Sequence, residues 1–191
     1  MKKKTLFMIA IAALVLAILA GGTAAYYTLD DVAHNIITTA DGLHGKIVEE
    51  DGEGNPFEDV EGAMPGDEIG KVVYIKNTGE TPYFVRIKVT KSIELAEGVV
   101  GTANPDYVTI MTDGKEGFNT AKWTQKGDFW YYNGIVEPGK STEPLFTDVK
   151  LSGDMDNMYA KCQAKVDVSA QMVQSANNGD SALNAAGWPA E

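Results

Sequence analysis

Two histidines, one cysteine and a scatter of carboxylates are the side chains of this 191-residue chain that could support chemistry. His34 and His44 stand ten residues apart, not at the HExxH spacing that puts two imidazoles on one helical face. With Asp30, Asp31, Asp41 or Glu49 they make a loose zinc ligand set, whereas zinc wants its imidazoles and carboxylates in a defined tetrahedron. The plainer expectation is two solvated or strand-edge histidines, with no metal. Cys162 has no base beside it, so its expected state is a buried, inert thiol. Asp51, Glu53, Asn55 and Glu58 superficially resemble a calcium loop. Pro56 stands where an EF-hand needs glycine, and Gly62 where it needs glutamate, which excludes that motif. A weak extracellular calcium site among loop carboxylates, Asp154 and Asp156 included, stays open. With no convergent nucleophile, base and oxyanion donors, the chain reads as a non-enzyme with no catalytic residue and no resident cofactor.

The run Phe129-Trp130-Tyr131-Tyr132 has two readings. Strand alternation sends Phe129 and Tyr131 one way and Trp130 and Tyr132 the other. One pair then fills a core, while the other either packs too or forms an outward patch for sugar or protein.

These side chains must be carried by elements that begin after the first 25 residues. Lys2, Lys3 and Lys4, an apolar run from Leu6 to Ala20 and the small residues Gly21 to Ala25 give the three regions of a secretory signal in order. Thr23 and Ala25 suit the −3 and −1 positions, placing cleavage between Ala25 and Tyr26. A retained anchor is the competing reading, since about 20 apolar residues can cross a bilayer. Contact with a membrane is expected only through this uncleaved segment. It holds three of the 16 basic residues and none of the 27 acidic ones, so cleavage takes the formal charge from −11 to −14. That field repels phosphate backbones and anionic membrane surfaces, which rules out nucleic acid as a partner. A single cysteine allows no internal disulfide, so stability must come from the core of one domain, residues 26–191.

Period-two patterns organise that domain. Val72 to Asn77 and Tyr83 to Thr90 read as strands, neighbouring and antiparallel across the Asn77 to Pro82 loop, with Tyr83, Val85, Ile87 and Val89 on one face. Ala160 to Met172 is the longest strand, with small or apolar residues at every second position. Phe129 to Val136, a turn at Pro138-Gly139-Lys140, and Leu145 to Leu151 complete the pattern. Ile93 to Ala103 and Gly114 to Lys126 read as loops or a short helix, and Asp51 to Gly62 as an exposed acidic loop. The tail from Ala176 forms a helical turn near Ala182 to Ala186 or packs Trp188 onto the sheet. The fold class is all-β, an antiparallel jelly-roll-like sandwich after an N-terminal signal helix.

Several of these pieces together resemble the TasA/camelysin group of Gram-positive exported proteins, whose signals are processed by a SipW-type signal peptidase. They are Lys2-Lys3-Lys4, the junction Gly21-Gly22-Thr23-Ala24-Ala25-Tyr26-Tyr27-Thr28, and Ala33-His34-Asn35-Ile36-Ile37-Thr38-Thr39. Met64-Pro65-Gly66-Asp67, Lys76-Asn77-Thr78-Gly79, Tyr83-Phe84-Val85-Arg86, Trp130-Tyr131-Tyr132 and Val136-Glu137-Pro138-Gly139-Lys140-Ser141-Thr142 resemble the body of that family. The acidic stretch Asp51 to Gly62 departs from it. The resemblance implies a secreted protein of the cell surface or biofilm matrix, assembled head-to-tail into fibres with itself as partner. It also implies that residues 26–45 are a donated strand, carried here by the apolar Tyr27, Leu29, Val32, Ile36 and Ile37. The alternative for this segment is a strand folded back into its own sheet. Two other functions stand beside the fibre subunit: a camelysin-like exported metallopeptidase, for which no motif speaks, and a monomeric carbohydrate-binding or adhesion domain using Trp130 and Tyr132.

Overall fold

Side-chain alternation sets the two longest strands, and they lie side by side. The computed structural model describes residues 27–30, 36–39 and 43–188; the signal segment 1–25 lies outside them. In chain order the strands are β1 (Tyr27–Asp30), β2 (Ile36–Thr39), β3 (Gly45–Glu50), β4 (Val60–Ala63), β5 (Glu68–Asn77) and β6 (Tyr83–Glu94). They continue as β7 (Val108–Thr112), β8 (Lys115–Glu116), β9 (Trp123–Lys126), β10 (Phe129–Tyr132), β11 (Phe146–Leu151) and β12 (Gln163–Gln174). The chain is all-β in two sheets. One runs β4-β1-β12-β6-β10-β9, with β2 also on β12; the other runs β3-β5-β11-β7-β8. Pairing is antiparallel except where β1 and β2 meet β12.

The inward faces of the two sheets make the main core. Ala164, Val166, Val168, Ala170 and Met172 of β12 are at most 3% exposed, and Tyr83, Val85 and Ile87 of β6 are fully buried. They pack with Val73 and Ile75 of β5 and Phe146, Val149 and Leu151 of β11 in one contiguous cluster. Each of the Val, Ile, Leu, Met and Phe side chains among them contributes about 1.5–3 kcal/mol by leaving water. The cluster also holds a charged pair: Lys71 Nζ lies 3.3 Å from Glu49 Oε2 and 4.0 Å from the centre of the Phe57 ring, both side chains being almost wholly buried.

A second, smaller cluster lies on the outer face of the larger sheet. Phe84, Phe129, Tyr131 and Val173 point away from the main core and are covered by Ala182, Leu183 and Trp188 of the tail. The Arg86 guanidinium sits 3.9 Å from the Phe129 ring centre and 4.9 Å from that of Trp188, and donates to Gln171 Oε1 and the Tyr131 hydroxyl. The tail thus both turns, with Ala185 N donating to Ser181 O, and packs Trp188 onto the sheet.

Three expectations change. β5 and β6 are not paired neighbours: β5 joins β3 and β11 while β6 joins β12 and β10. The Asn77 to Pro82 loop carries the chain from one sheet to the other, because the buried Asn77 amide donates to Thr81 O and Val136 O and fixes a wide crossing instead of a tight hairpin. Residues 114–126 contain β8 and β9, strands too short to show a period in sequence. The acidic stretch is partly pinned: Phe57 packs beside Lys71, and its last residues enter β4. Gly52 lies so close to Gly70 that a Cβ on Gly70 would meet Gly52 N at 2.5 Å.

Candidate strand-exchange edge

β12 has two long edges, and they are satisfied differently. Along β6 it makes an unbroken antiparallel ladder from Gln163↔Glu94 to Gln174↔Tyr83. Along the other edge it meets the N-terminal segment in two pieces. Thr28, Leu29 and Asp30 of β1 stand opposite Gln163, Ala164 and Lys165; Ile36 to Thr39 of β2 stand opposite Ser169 to Met172. Both pieces are parallel, and the N-terminal chain spends two more residues than β12 between them. A shift of two is an even number of residues, which the period-two strand pattern tolerates. β1 is flanked on its far side by β4, antiparallel at Tyr27↔Ala63 and Leu29↔Val60. It therefore fills a slot between β4 and β12, whereas β2 pairs, among the described residues, with β12 alone.

Four of the five assembly-strand residues lie along this edge of β12: Tyr27 and Leu29 in β1, within the slot, and Ile36 and Ile37 in β2, beyond it. Val32 and the cleavage pair Ala25 and Tyr26 lie outside the described residues. The apolar donor segment was legible in sequence; its partner, the edge of the last strand, was not. Parallel pairing between the first and last strands is a contact of the highest sequence separation, and local pattern carries no trace of it.

Among the described residues the candidate metal and nucleophile side chains do not converge. His34, Asp31 and Asp41 lie outside the described residues, Asp30 is in β1 and Glu49 is held by Lys71. His44 is exposed, and its carbonyl accepts from Thr78 N and Gly79 N. Among the described residues no group of three or more His, Cys, Asp or Glu side chains could hold a metal ion. In the calcium-like stretch Asp51 accepts from Glu53 N, Asn55 N and Asn55 Nδ2, and the Asn55 contacts draw its carboxyl below the usual range. Asp156 caps a 3-10 turn by accepting from Met158 N, and Asp154 N donates to Ser152 Oγ. Cys162 is fully buried, and burial pushes its thiol up to about 11.

The aromatic run resolves in favour of packing on both faces. Trp130 enters the main core and Tyr132 packs against it, while Phe129 and Tyr131 lie beneath the tail. Trp130 and Tyr132 thus form no patch on the sheet's outer face, which the tail covers at β10; Trp130 borders solvent only at the side of the sandwich. The Tyr132 hydroxyl donates to Glu143 Oε2, and Lys122 Nζ lies 2.8 Å from Glu143 Oε1. Burial foremost, then the Glu143 carboxylate, pushes Tyr132 up to about 12, while hydrogen bonds from Lys122 and then Tyr132 lower Glu143.

Among the described residues no helix is long and apolar enough to cross a membrane. No family model, no curated protein and no solved structure matches this chain.

Proposed function

We propose that this is an exported structural protein of the TasA/camelysin type, on a jelly-roll-like frame, that assembles by passing its N-terminal segment from one copy to the next. Removal of residues 1–25 by a signal peptidase frees the segment from Tyr26 onward. The observation that carries the reading is the placement of β1 and β2: both lie along one edge of β12, β1 in a slot bounded on its other side by β4. A neighbour's segment entering that slot makes the same main-chain bonds that the chain's own segment makes, so exchange costs no ladder. The contact is head-to-tail and does not close on itself, so repetition gives a filament. The product belongs outside the cell, at the surface or in a biofilm matrix, and needs neither cofactor nor catalytic residue.

The test compares residues 26–191 with a form starting at residue 46, by electron microscopy and size exclusion. Filaments or concentration-dependent oligomers from the longer form alone are expected. A longer form that stays monomeric across protein concentration, salt and calcium overturns the proposal. Chelator-sensitive casein cleavage that disappears with His34→Ala or His44→Ala would replace it with a peptidase.

A further inference from the structure

Away from the β12 edge, the sandwich opens at its side. β10 pairs with β6 only at Arg86 and Ile87, so from Lys88 onward β6 has no β10 partner. β8 likewise covers β7 only at Met111 and Thr112. Between these two uncovered stretches lies a cleft of about 550 Å³, within the range of small-ligand sites.

Its inner wall is apolar and aromatic. The Phe118 and Trp130 rings stack with centroids 4.5 Å apart and planes tilted by 34°, and Val89 and Ile110 border them. Its rim carries both signs of charge. Lys88 Nζ lies 3.0 Å from Asp128 Oδ2; Lys91 Nζ donates to Val108 O at 2.7 Å and lies 3.7 Å from Asp106 Oδ1. Gln125 and Glu116 stand exposed at the same mouth. Two wall positions, Gly117 and Gly127, have positive φ of 111° and 62° and no heavy atom within 4 Å of where a Cβ would stand, so the turns there leave the mouth open.

We propose that this cleft binds a neutral oligosaccharide, an activity separate from strand exchange. A sugar ring offers an apolar C–H face for the aromatic wall. It also offers hydroxyls that both donate and accept, which suits a rim of ammonium, carboxylate and carboxamide groups. The rim's three carboxylates against two lysines, on a chain with 27 acidic and 16 basic residues, disfavour phosphorylated or sulfated ligands. An added peptide strand is disfavoured too. At Lys91 the edge of β6 is approached by the 3-10 turn Pro105–Tyr107, through Asp106, which leaves little length for a ladder.

The purified protein is titrated calorimetrically with neutral trisaccharides of glucose, galactose, mannose and N-acetylglucosamine, with inorganic phosphate and trialanine as controls. At least one trisaccharide is expected to bind with Kd below about 1 mM. Lys88→Ala combined with Gln125→Ala, both at the solvated rim, is expected to weaken it about tenfold, equivalent to about 1.4 kcal/mol. Trp188→Ala, on the opposite face of the sheet, is expected to leave it unchanged. No binding by any trisaccharide, binding indifferent to the rim substitutions, or a response to phosphate or trialanine alone overturns the proposal.

Discussion

The two edges of β12 differ in kind. The β6 edge is antiparallel and twelve positions long, backed inward by the main core and, at its Phe84 and Val173 end, outward by the tail cluster. The N-terminal edge is parallel, broken into runs of three and four positions, and supplied by the segment from Tyr27 to Thr39. Length and cross-strand packing fix a register; a short terminal strand is held mainly by its ladder. One edge is thus part of the fold's permanent frame, and the other is where a strand leaves at the least cost. This asymmetry is what makes a strand-exchange function physically reasonable.

Ile87→Ala should give the largest effect. Ile87 is fully buried in β6, opposite Ala170 on one side and Trp130 on the other. Truncation leaves a cavity and should cost about 2–5 kcal/mol, read as a lowered urea midpoint with an unchanged slope. A loss below about 1 kcal/mol would mean that the β6 edge is not the frame, and the contrast would fail.

Trp188→Ala comes next. It removes the edge-to-face contact with Tyr131, at 5.6 Å between centroids, and the Arg86 contact on the outer face. These contribute about 0.5–1.5 kcal/mol and about 0.5–2 kcal/mol. The expected result is a destabilisation between those of the other two substitutions, with filament formation retained. Loss of filaments with an unchanged urea midpoint would move the assembly contact from the β12 edge to the tail.

Ile37→Pro should cost the monomer least. It disturbs β2, whose only ladder partner among the described residues is β12, so the loss is about 0.5–1.5 kcal/mol. Assembly by strand passing should nonetheless be abolished, since every junction in a filament repeats the defect. A stability loss equal to that of Ile87→Ala would show that both edges are frame.

The same asymmetry explains how much could be read in advance. β6 and β12 are long and alternate strictly, so their residues and inward faces were legible from Tyr83 to Val89 and from Ala164 to Met172, while Ala160 to Cys162, read as part of the second strand, precede it. β8 and β9 carry too few residues for a period to emerge. The assignment of β5 and β6 to different sheets depends on the buried side chain of Asn77, which local pattern presents only as a loop polar residue. Of the candidate edge, the apolar donor was visible in Tyr27, Leu29, Ile36 and Ile37. Its slot was hidden because β4 has only four residues, one of them Gly62. The lateral cleft was hidden because it is made by strands ending early, which is a property of register.

The last prediction uses pH to probe the antiparallel side where it continues through β10. Tyr132 ionises ordinarily near 10.0 and is pushed up to about 12 by burial and by its bond to Glu143. Its folded-state pKa is raised, so the neutral phenol is the form the fold favours. That contribution is complete below pH 10 and is lost as pH rises toward about 12. Glu143 is shifted the other way, below 4.5, by Lys122 and Tyr132, so its contribution is present above pH 4.5 and fades as pH falls through its lowered value. Melting temperature against pH should therefore decline at both extremes, and Tyr132→Phe should flatten the alkaline limb while leaving Ile37→Pro to act as before. The two substitutions should be additive, because they lie in non-adjacent strands of the sheet, separated by β6 and β12. Non-additivity above about 0.5 kcal/mol would show that the N-terminal edge is coupled to the frame, and the separation between a fixed and an exchangeable side of β12 would no longer hold.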